Sequence, residues 1–225
     1  MSIKLAKKIT RTILENYFPE KALIYKVCRD MIINNDSYLH TTGWIESYKK
    51  RKPVNEEGYP IPWMNFSVIK ILDERLKKDL SLFEYGSGYS TLFFADRVRK
   101  VISVEYDKDW YNLLRAQVPE NVELIFKEKD YNGKYCRVIN SINEKFDVII
   151  IDGRDRVNCL KQSIPSLSHR GVLLLDDSLR KRYQDGIEYA LGKGFKELSI
   201  EGVQPAGIWN NRTTIFYREN NCLKL

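Results

Sequence analysis

Glu84, Glu105, Asp130, Asp152 and the pair Asp176-Asp177 each follow a short apolar run, directly or within a few residues. Carboxylates gathered in one place have three chemical uses. They accept hydrogen bonds from paired hydroxyls, they take a proton from a nucleophile, and together they hold a hard divalent ion through oxygen. Beside the first of them runs Tyr85-Gly86-Ser87-Gly88-Tyr89-Ser90-Thr91. Two glycines one residue apart carry no Cβ, so the backbone there can turn sharply and sit close to a bulky ligand. Ser90 and Thr91 suit the cap of a helix that begins at the turn, and such a beginning directs free N–H groups at whatever the turn encloses. Arg154 and Arg156 flank Asp155, either as holders of an acidic substrate or as its surface partners. Of the two histidines, His169 falls in the turn before a strand, and His40 reaches a site only if its segment folds over one.

For these residues to meet, the apolar runs must be strands of one sheet. Leu82–Tyr85, Val101–Glu105, Val122–Phe126, Phe146–Ile151 and Gly171–Leu175 read as strands. Helical stretches separate or follow them at Ser90–Arg97, Lys108–Gln117, Gly133–Ile142, Arg156–Leu167 and Leu179–Leu191. Runs such as VIII and VLLL show no polar alternation, which means burial on both faces and a mostly parallel sheet between helix layers. The last two strands, Phe195–Val203 and Thr213–Arg218, have no helix between them and must pair antiparallel. The long connection GVQPAGIWNNRTT lies between them, with Trp209 placed to shape a pocket. In an open α/β sheet, ligands bind at the carboxyl ends of the strands, where all these carboxylates fall.

The chain of 225 residues reads as one domain with an appendage. Leu5, Ile9, Ile13 and Tyr17 give residues 3–18 an amphipathic helical pattern, and Leu23, Ile24, Val27 and Met31 do the same for residues 20–33. Residues 34–62 are irregular, with a short helix before Lys49-Lys50-Arg51-Lys52 and a proline-rich connector, PVNEEGYPIP. We therefore divide the chain into a basic helical extension or cap, residues 1–60, and a main domain, residues 61–225, opened by a helix over Trp63–Lys78. The net charge of +7 is concentrated in the extension: residues 1–52 carry eleven Lys/Arg against five Asp/Glu, and the remainder is nearly balanced. A balanced main domain argues against a nucleic-acid partner, whereas the basic helices suit peripheral contact with an anionic membrane. No run of eighteen apolar residues is present, and the N-terminus has no uninterrupted apolar stretch of the signal-peptide kind. With four cysteines in no metal-binding spacing, the expectation is a cytoplasmic protein with reduced thiols. The oligomeric state is left open.

FEYGSGYST resembles motif I of the class I S-adenosylmethionine-dependent methyltransferases, an acidic residue followed by Gly-x-Gly at the end of the first strand. Glu105 resembles the acidic residue of their motif II, Asp130-Tyr131 the acidic position near the adenine, and FDVIIIDGRDR the motif IV of small-molecule O-methyltransferases. The resemblance implies a Rossmann-like seven-stranded α/β methyltransferase sheet, mostly parallel with a C-terminal antiparallel hairpin, the last strand lying inside its predecessor. It implies S-adenosylmethionine as cofactor, bound by Glu84, Tyr85, Gly86, Ser87, Gly88, Ser90, Thr91, Glu105, Tyr106, Asp130, Tyr131 and Asp152. Asp152 and Asp177 are the candidate catalytic carboxylates, with Asp155 as a further candidate base. The implied reaction is methyl transfer to a small-molecule acceptor, expected to be a hydroxyl. GVLLLDDS resembles the fifth strand of the metal-dependent members, in which Asp-Asn ends the strand; here Asp177 replaces the Asn. A divalent ion on Asp152, Asp176 and Asp177 is therefore allowed but not favoured. One rival is a nicotinamide-dinucleotide oxidoreductase, opposed by Thr91 at the third position of G-x-G-x-x-G and by the terminal hairpin. The other is a non-catalytic binding module with a basic tail.

Overall fold

The computed structural model describes residues 16–225. One seven-stranded sheet runs through it, with strands β1 (Ser81–Tyr85), β2 (Lys100–Glu105), β3 (Val122–Phe126), β4 (Phe146–Ile151), β5 (Leu167–Leu175), β6 (Lys196–Val203) and β7 (Asn210–Tyr217). Their spatial order is β3-β2-β1-β4-β5-β7-β6. β1 to β5 pair parallel, and β7 pairs antiparallel with both β5 and β6. β7 thus lies inside β6, as the resemblance implies. The chain builds outward from β1 to β3, returns, and builds the other way from β4. The crevice where that order reverses, between the carboxyl ends of β1 and β4, is where an open α/β sheet accommodates a ligand.

The helix layers follow from strand periodicity. On β4, Val148 and Ile150 pack into one core with α4 (Phe66–Arg75) and α5 (Tyr89–Ala95). Ile149 and Ile151 pack into the other with α7 (Arg156–Ser163) and α8 (Gln184–Gly192). α6 (Lys108–Arg115) follows β2. Alternate residues of a strand point to opposite faces, so a strand without polar alternation supplies both layers.

The N-terminal part contains α1 (Pro19–Ile33), α2 (Tyr38–Thr41) and α3 (Trp44–Lys50). The expected helix over residues 3–18 lies almost wholly outside the described residues. α1 begins with proline at its first position and buries none of its residues. α3 docks on the main domain: the Trp44 indole N–H donates to the Gly207 carbonyl at 2.7 Å, across from the β6–β7 connection. Ser47 is fully buried, its hydroxyl donating to the Val54 carbonyl at 2.6 Å and accepting from the Val54 N–H at 2.9 Å.

Several elements differ from the sequence reading; the helix from Arg156 ends at Ser163 rather than Leu167, and β5 begins at Leu167 rather than Gly171. α4 spans Phe66–Arg75 rather than Trp63–Lys78, because Asn65 caps it by accepting the Val68 N–H. The expected helix over 133–142 shrinks to one 3-10 turn at Val138–Ser141. The Asp130 carboxylate takes the N–H groups of Lys134 and Tyr135 at 2.6 and 2.9 Å, and the loop keeps a side-chain-bonded form. The expected helix over 179–191 divides into a 3-10 turn at Lys181–Tyr183 and α8. β7 begins at Asn210 rather than Thr213, which leaves six residues, 204–209, in the connection.

Candidate active site

Gly86 turns the chain out of β1 with a φ of +94°, in the left-handed region that favours glycine. A Cβ there would lie 2.9 Å from the backbone of Gly153, which follows β4. The two turns therefore touch backbone to backbone, and this contact closes the floor of the crevice. Gly88 is different: a Cβ on it would meet nothing nearer than the Trp110 ring at 3.9 Å. The space it leaves belongs to the cleft.

Glu84 is fully buried and does not line the cleft. Its carboxylate accepts from the hydroxyls of Ser90, Thr91 (2.6 Å) and Ser103 (2.8 Å). Thr91 in turn accepts the Gly88 N–H at 2.9 Å. Burial pushes the Glu84 carboxyl up to about 7, against the opposing pull of the three hydroxyls. Glu84, Ser90 and Thr91 thus hold the shape of the turn.

Glu105, at the end of β2, clamps the turn from the other side. One carboxylate oxygen accepts the Ser87 N–H at 3.0 Å, and the other accepts those of Tyr106 and Asp107 at 2.8 and 2.7 Å. Burial raises its pKa, while these three N–H groups pull it down. An ionised carboxylate has about four acceptor positions, so three N–H bonds leave room for a ligand hydroxyl. The Trp110 indole N–H donates to the Ser87 carbonyl at 2.8 Å and completes the support.

These groups open on one cleft of about 690 Å³. Its floor is Gly86, Ser87, Gly88 and Gly153; Glu105, Tyr106 and Trp110 form one side, and Asp152 and Arg156 lie at the β4 end. Arg51, Lys52 and Pro53, just after α3, and Trp63 also line the cleft, with the Lys52 ammonium 6.0 Å from the Tyr89 ring. The Arg154 guanidinium lies 5.0 Å from the Tyr106 ring and donates to its hydroxyl at 2.8 Å.

At the ends of β4 and β5, three carboxylates surround one guanidinium. Arg156 pairs with Asp152 at 2.7 Å and lies 3.7 Å from Asp176 and 3.6 Å from Asp177. It also donates to the carbonyls of Gly153, Asp176 and Asp152 at 3.0, 2.7 and 2.9 Å. Desolvation pushes the Asp152 and Asp176 carboxyls up, and the Arg156 charge opposes it. Asp177 additionally pairs with Arg180 at 2.5 Å. Among the described residues, no group of three or more His, Cys, Asp or Glu side chains is arranged to hold a metal ion. The three aspartates do not fit a resident divalent ion, because Arg156 stands among them.

The structure departs from the sequence reading at several named residues. Tyr85 cannot offer its side chain to a ligand in the cleft: it is fully buried and its hydroxyl donates to the Cys136 carbonyl at 2.6 Å. Asp130 is engaged by its own loop and Tyr131 is 85% exposed; neither lines the cleft. Arg156 binds Asp152, Asp176 and Asp177 rather than Asp155, whose carboxylate accepts from Asn132 and Asn158 instead. Trp209 is 76% exposed and does not line the cleft. His40 bonds the Ile32 carbonyl at 2.6 Å, and His169 is exposed on β5. The sequence reading missed Arg51, Lys52, Trp63 and Trp110. For Trp110 a signal existed, since it stands three residues beyond Asp107, the cap of the helix after β2. For the other three none did, because their place at the cleft follows from tertiary contacts and not from spacing along the chain.

Comparison with known proteins adds likenesses. Residues 83–178 match a family model described as a methyltransferase domain. A probable cobalt-precorrin-6B C(15)-methyltransferase (decarboxylating) of Sulfolobus acidocaldarius is 26% identical over 168 residues, covering 69% of this chain and 83% of that protein. Two solved structures share the fold. The precorrin-6y C5,15-methyltransferase of Geobacter metallireducens superposes with a TM-score of 0.52 at 12% identity, over 68% of this chain and 87% of that one. The O-methyltransferase TomG of Streptomyces achromogenes, solved in complex with S-adenosylmethionine, gives 0.51 at 15% identity, over 66% and 76%.

Proposed function

We propose that this chain is a class I S-adenosylmethionine-dependent methyltransferase, as its likeness to a methyltransferase-domain model and to a precorrin methyltransferase supports, and that its cleft binds S-adenosylmethionine and a small hydroxylated acceptor. One observation carries this reading. The glycine turn, Glu105 and Asp152 come from three different strand ends and converge on one cleft of about 690 Å³, within the range of about 300–1,000 Å³ that small-molecule sites occupy. When bound, S-adenosylmethionine would supply an electrophilic methyl on its sulfonium, transferred in line to an acceptor oxygen as the carbon–sulfur bond breaks and S-adenosylhomocysteine leaves. The residues present suit it. Gly88 leaves space for a ligand against the backbone, and Glu105 retains acceptor capacity for a ribose hydroxyl. Tyr106, under Arg154, offers a flat face.

The chain's own groups then do two things. They align the partners, which can lower a barrier by several kcal/mol through orientation alone. Asp152, which lines the cleft, takes the acceptor's proton; a carboxyl raised above its ordinary range is the better base near neutral pH. Asp177 is held through Arg180 and Arg156 and supports that constellation. Arg51 and Lys52 also line the cleft and have, among the described residues, no carboxylate within ion-pair distance. They favour an acceptor that carries a carboxylate or phosphate group. The cap, residues 1–60, would in this reading choose the acceptor, and the exposed apolar and basic side chains of α1 would touch an anionic membrane surface.

The test is calorimetric titration with S-adenosylhomocysteine, beside NADH as control, followed by transfer of labelled methyl into cell-extract fractions. Binding of S-adenosylhomocysteine and label in a small, anion-exchange-retained molecule are expected. Binding of NADH alone would overturn the reading.

A further inference from the structure

Three aspartates at the ends of β4 and β5 have the composition of a hard-cation site, yet they converge on a side chain. The Arg156 guanidinium contacts the Asp152 carboxylate at 2.7 Å and lies within 3.7 Å of those of Asp176 and Asp177. Its remaining N–H groups are taken by three backbone carbonyls of the same two turns. The outer sides of the carboxylates are occupied too. Asp176 accepts from the Thr213 hydroxyl at 2.7 Å, and Asp177 accepts from the Asn211 amide at 3.2 Å and pairs with Arg180 at 2.5 Å. Asp177 adopts a left-handed φ of 57°, unusual for a residue other than glycine, in this arrangement.

We propose that Arg156 is a built-in cation that takes the place of a divalent ion at the acceptor end of the cleft, holding Asp152 and Asp177 as an oriented pair of carboxylates. The argument is electrostatic and geometric. A divalent ion binds carboxylate oxygens at about 2.0–2.6 Å, which would set it within a few ångströms of the guanidinium. Two cations at that spacing in a poorly solvated pocket repel strongly. Arginine, unlike lysine, cannot lose its proton to relieve the repulsion, and its planar fork matches several carboxylates at once. Arg156 is thus a positioning residue, and the acceptor must be deprotonated by a carboxylate alone. This inference rests on reading the β4 and β5 ends as the acceptor end.

The full chain, its Arg156→Lys, Arg156→Gln, Arg156→Ala and Asp177→Asn variants, and the double variant Arg156→Gln/Asp177→Asn are titrated with Mn²⁺, with free ion followed by electron paramagnetic resonance. Circular dichroism confirms folding, and S-adenosylhomocysteine affinity is measured in parallel. The native chain is expected to show no saturable binding at about millimolar Mn²⁺, and Arg156→Lys to bind more weakly than the Gln and Ala variants. The Gln and Ala variants are expected to gain one Mn²⁺ per chain, at least about tenfold more tightly than native, and the Asp177→Asn change to abolish it. One Mn²⁺ per native chain, lost in Asp177→Asn, would overturn the proposal, and so would folded Gln and Ala variants that bind none. The native titration decides even if those variants fail to fold. Mn²⁺ binding is read without cofactor or acceptor, so an absence of S-adenosylhomocysteine binding would sink the proposed function while leaving this result separately readable.

Discussion

A fully buried carboxylate with three hydroxyl donors and no cation beside it is costly to ionise, and Glu84 is such a group. Its pKa in the fold is about 7, against an ordinary value of 4.5. The folded state therefore binds more protons than the unfolded chain between these values. The resulting stabilisation is complete below about pH 4.5 and is lost as pH rises through about 7. In Glu84→Gln this contribution disappears. Denaturant titrations between pH 4.5 and 8 should show the native chain losing about 3 kcal/mol relative to that variant. An identical pH slope in both proteins would count against Glu84 as a proton-binding anchor. Two further substitutions separate binding from chemistry. Glu105→Gln should weaken S-adenosylhomocysteine by about 1–3 kcal/mol in calorimetry, because it removes a charged acceptor on which three N–H groups and a ligand hydroxyl converge. Asp152→Asn should leave that affinity within a few-fold but lower methyl transfer by about 10²–10⁴. Full activity in Asp152→Asn would move the proton to another acceptor.

Between elements, one chain of polar side chains ties a helix cap to the site. Asn65 caps α4 and donates to the Ile200 carbonyl, the Asn211 side chain and the Thr213 hydroxyl at 3.1 to 3.3 Å. Asn211 and Thr213 in turn bond Asp177 and Asp176. Asn65→Ala removes a cap and leaves buried partners without a donor, so it should cost about 2–4 kcal/mol in denaturant unfolding. The α3 contact is lighter. Trp44→Phe loses the hydrogen bond to Gly207 and should cost about 1–2 kcal/mol, a fall of a few degrees in melting temperature. Because α3 carries Arg51 and Lys52 to the cleft, this variant should also raise the Michaelis constant for acceptor more than that for S-adenosylmethionine. Equal changes in both would mean that α3 does not select the acceptor.

On the scale of the whole molecule, charge and apolar exposure coincide at the N-terminus. Residues 1–52 carry most of the net +7, and on α1 Leu23, Ile24 and Val27 are 61, 62 and 47% exposed. No helix among the described residues is long and apolar enough to cross a membrane. Flotation with vesicles rich in phosphatidylserine should carry the chain, vesicles of phosphatidylcholine alone should not, and about 0.5 M salt should weaken binding because the charges are screened. Equal recovery with both vesicle types would leave α1 without this role.

Much of the architecture was legible in the sequence because it depends on local periodicity. Uninterrupted apolar runs identified the buried strands, Gly86 the turn, and the missing helix before the last strand the antiparallel edge. The convergence of Glu105, Asp152 and the glycine turn was legible for the same reason, since the carboxyl ends of parallel strands lie on one side of their sheet. What only tertiary structure decided is where each side chain points and what it meets. Tyr85 and Gly86 are neighbours in sequence, yet one is sealed in the core and the other floors the cleft. Arg156 follows Asp155 but binds three other aspartates, two of them twenty or more residues away. Arg51 and Lys52 line the cleft just after α3, whose Trp44 indole bonds a carbonyl in the β6–β7 connection, 163 residues along the chain. Such contacts depend on distances through space, which spacing along a chain does not encode.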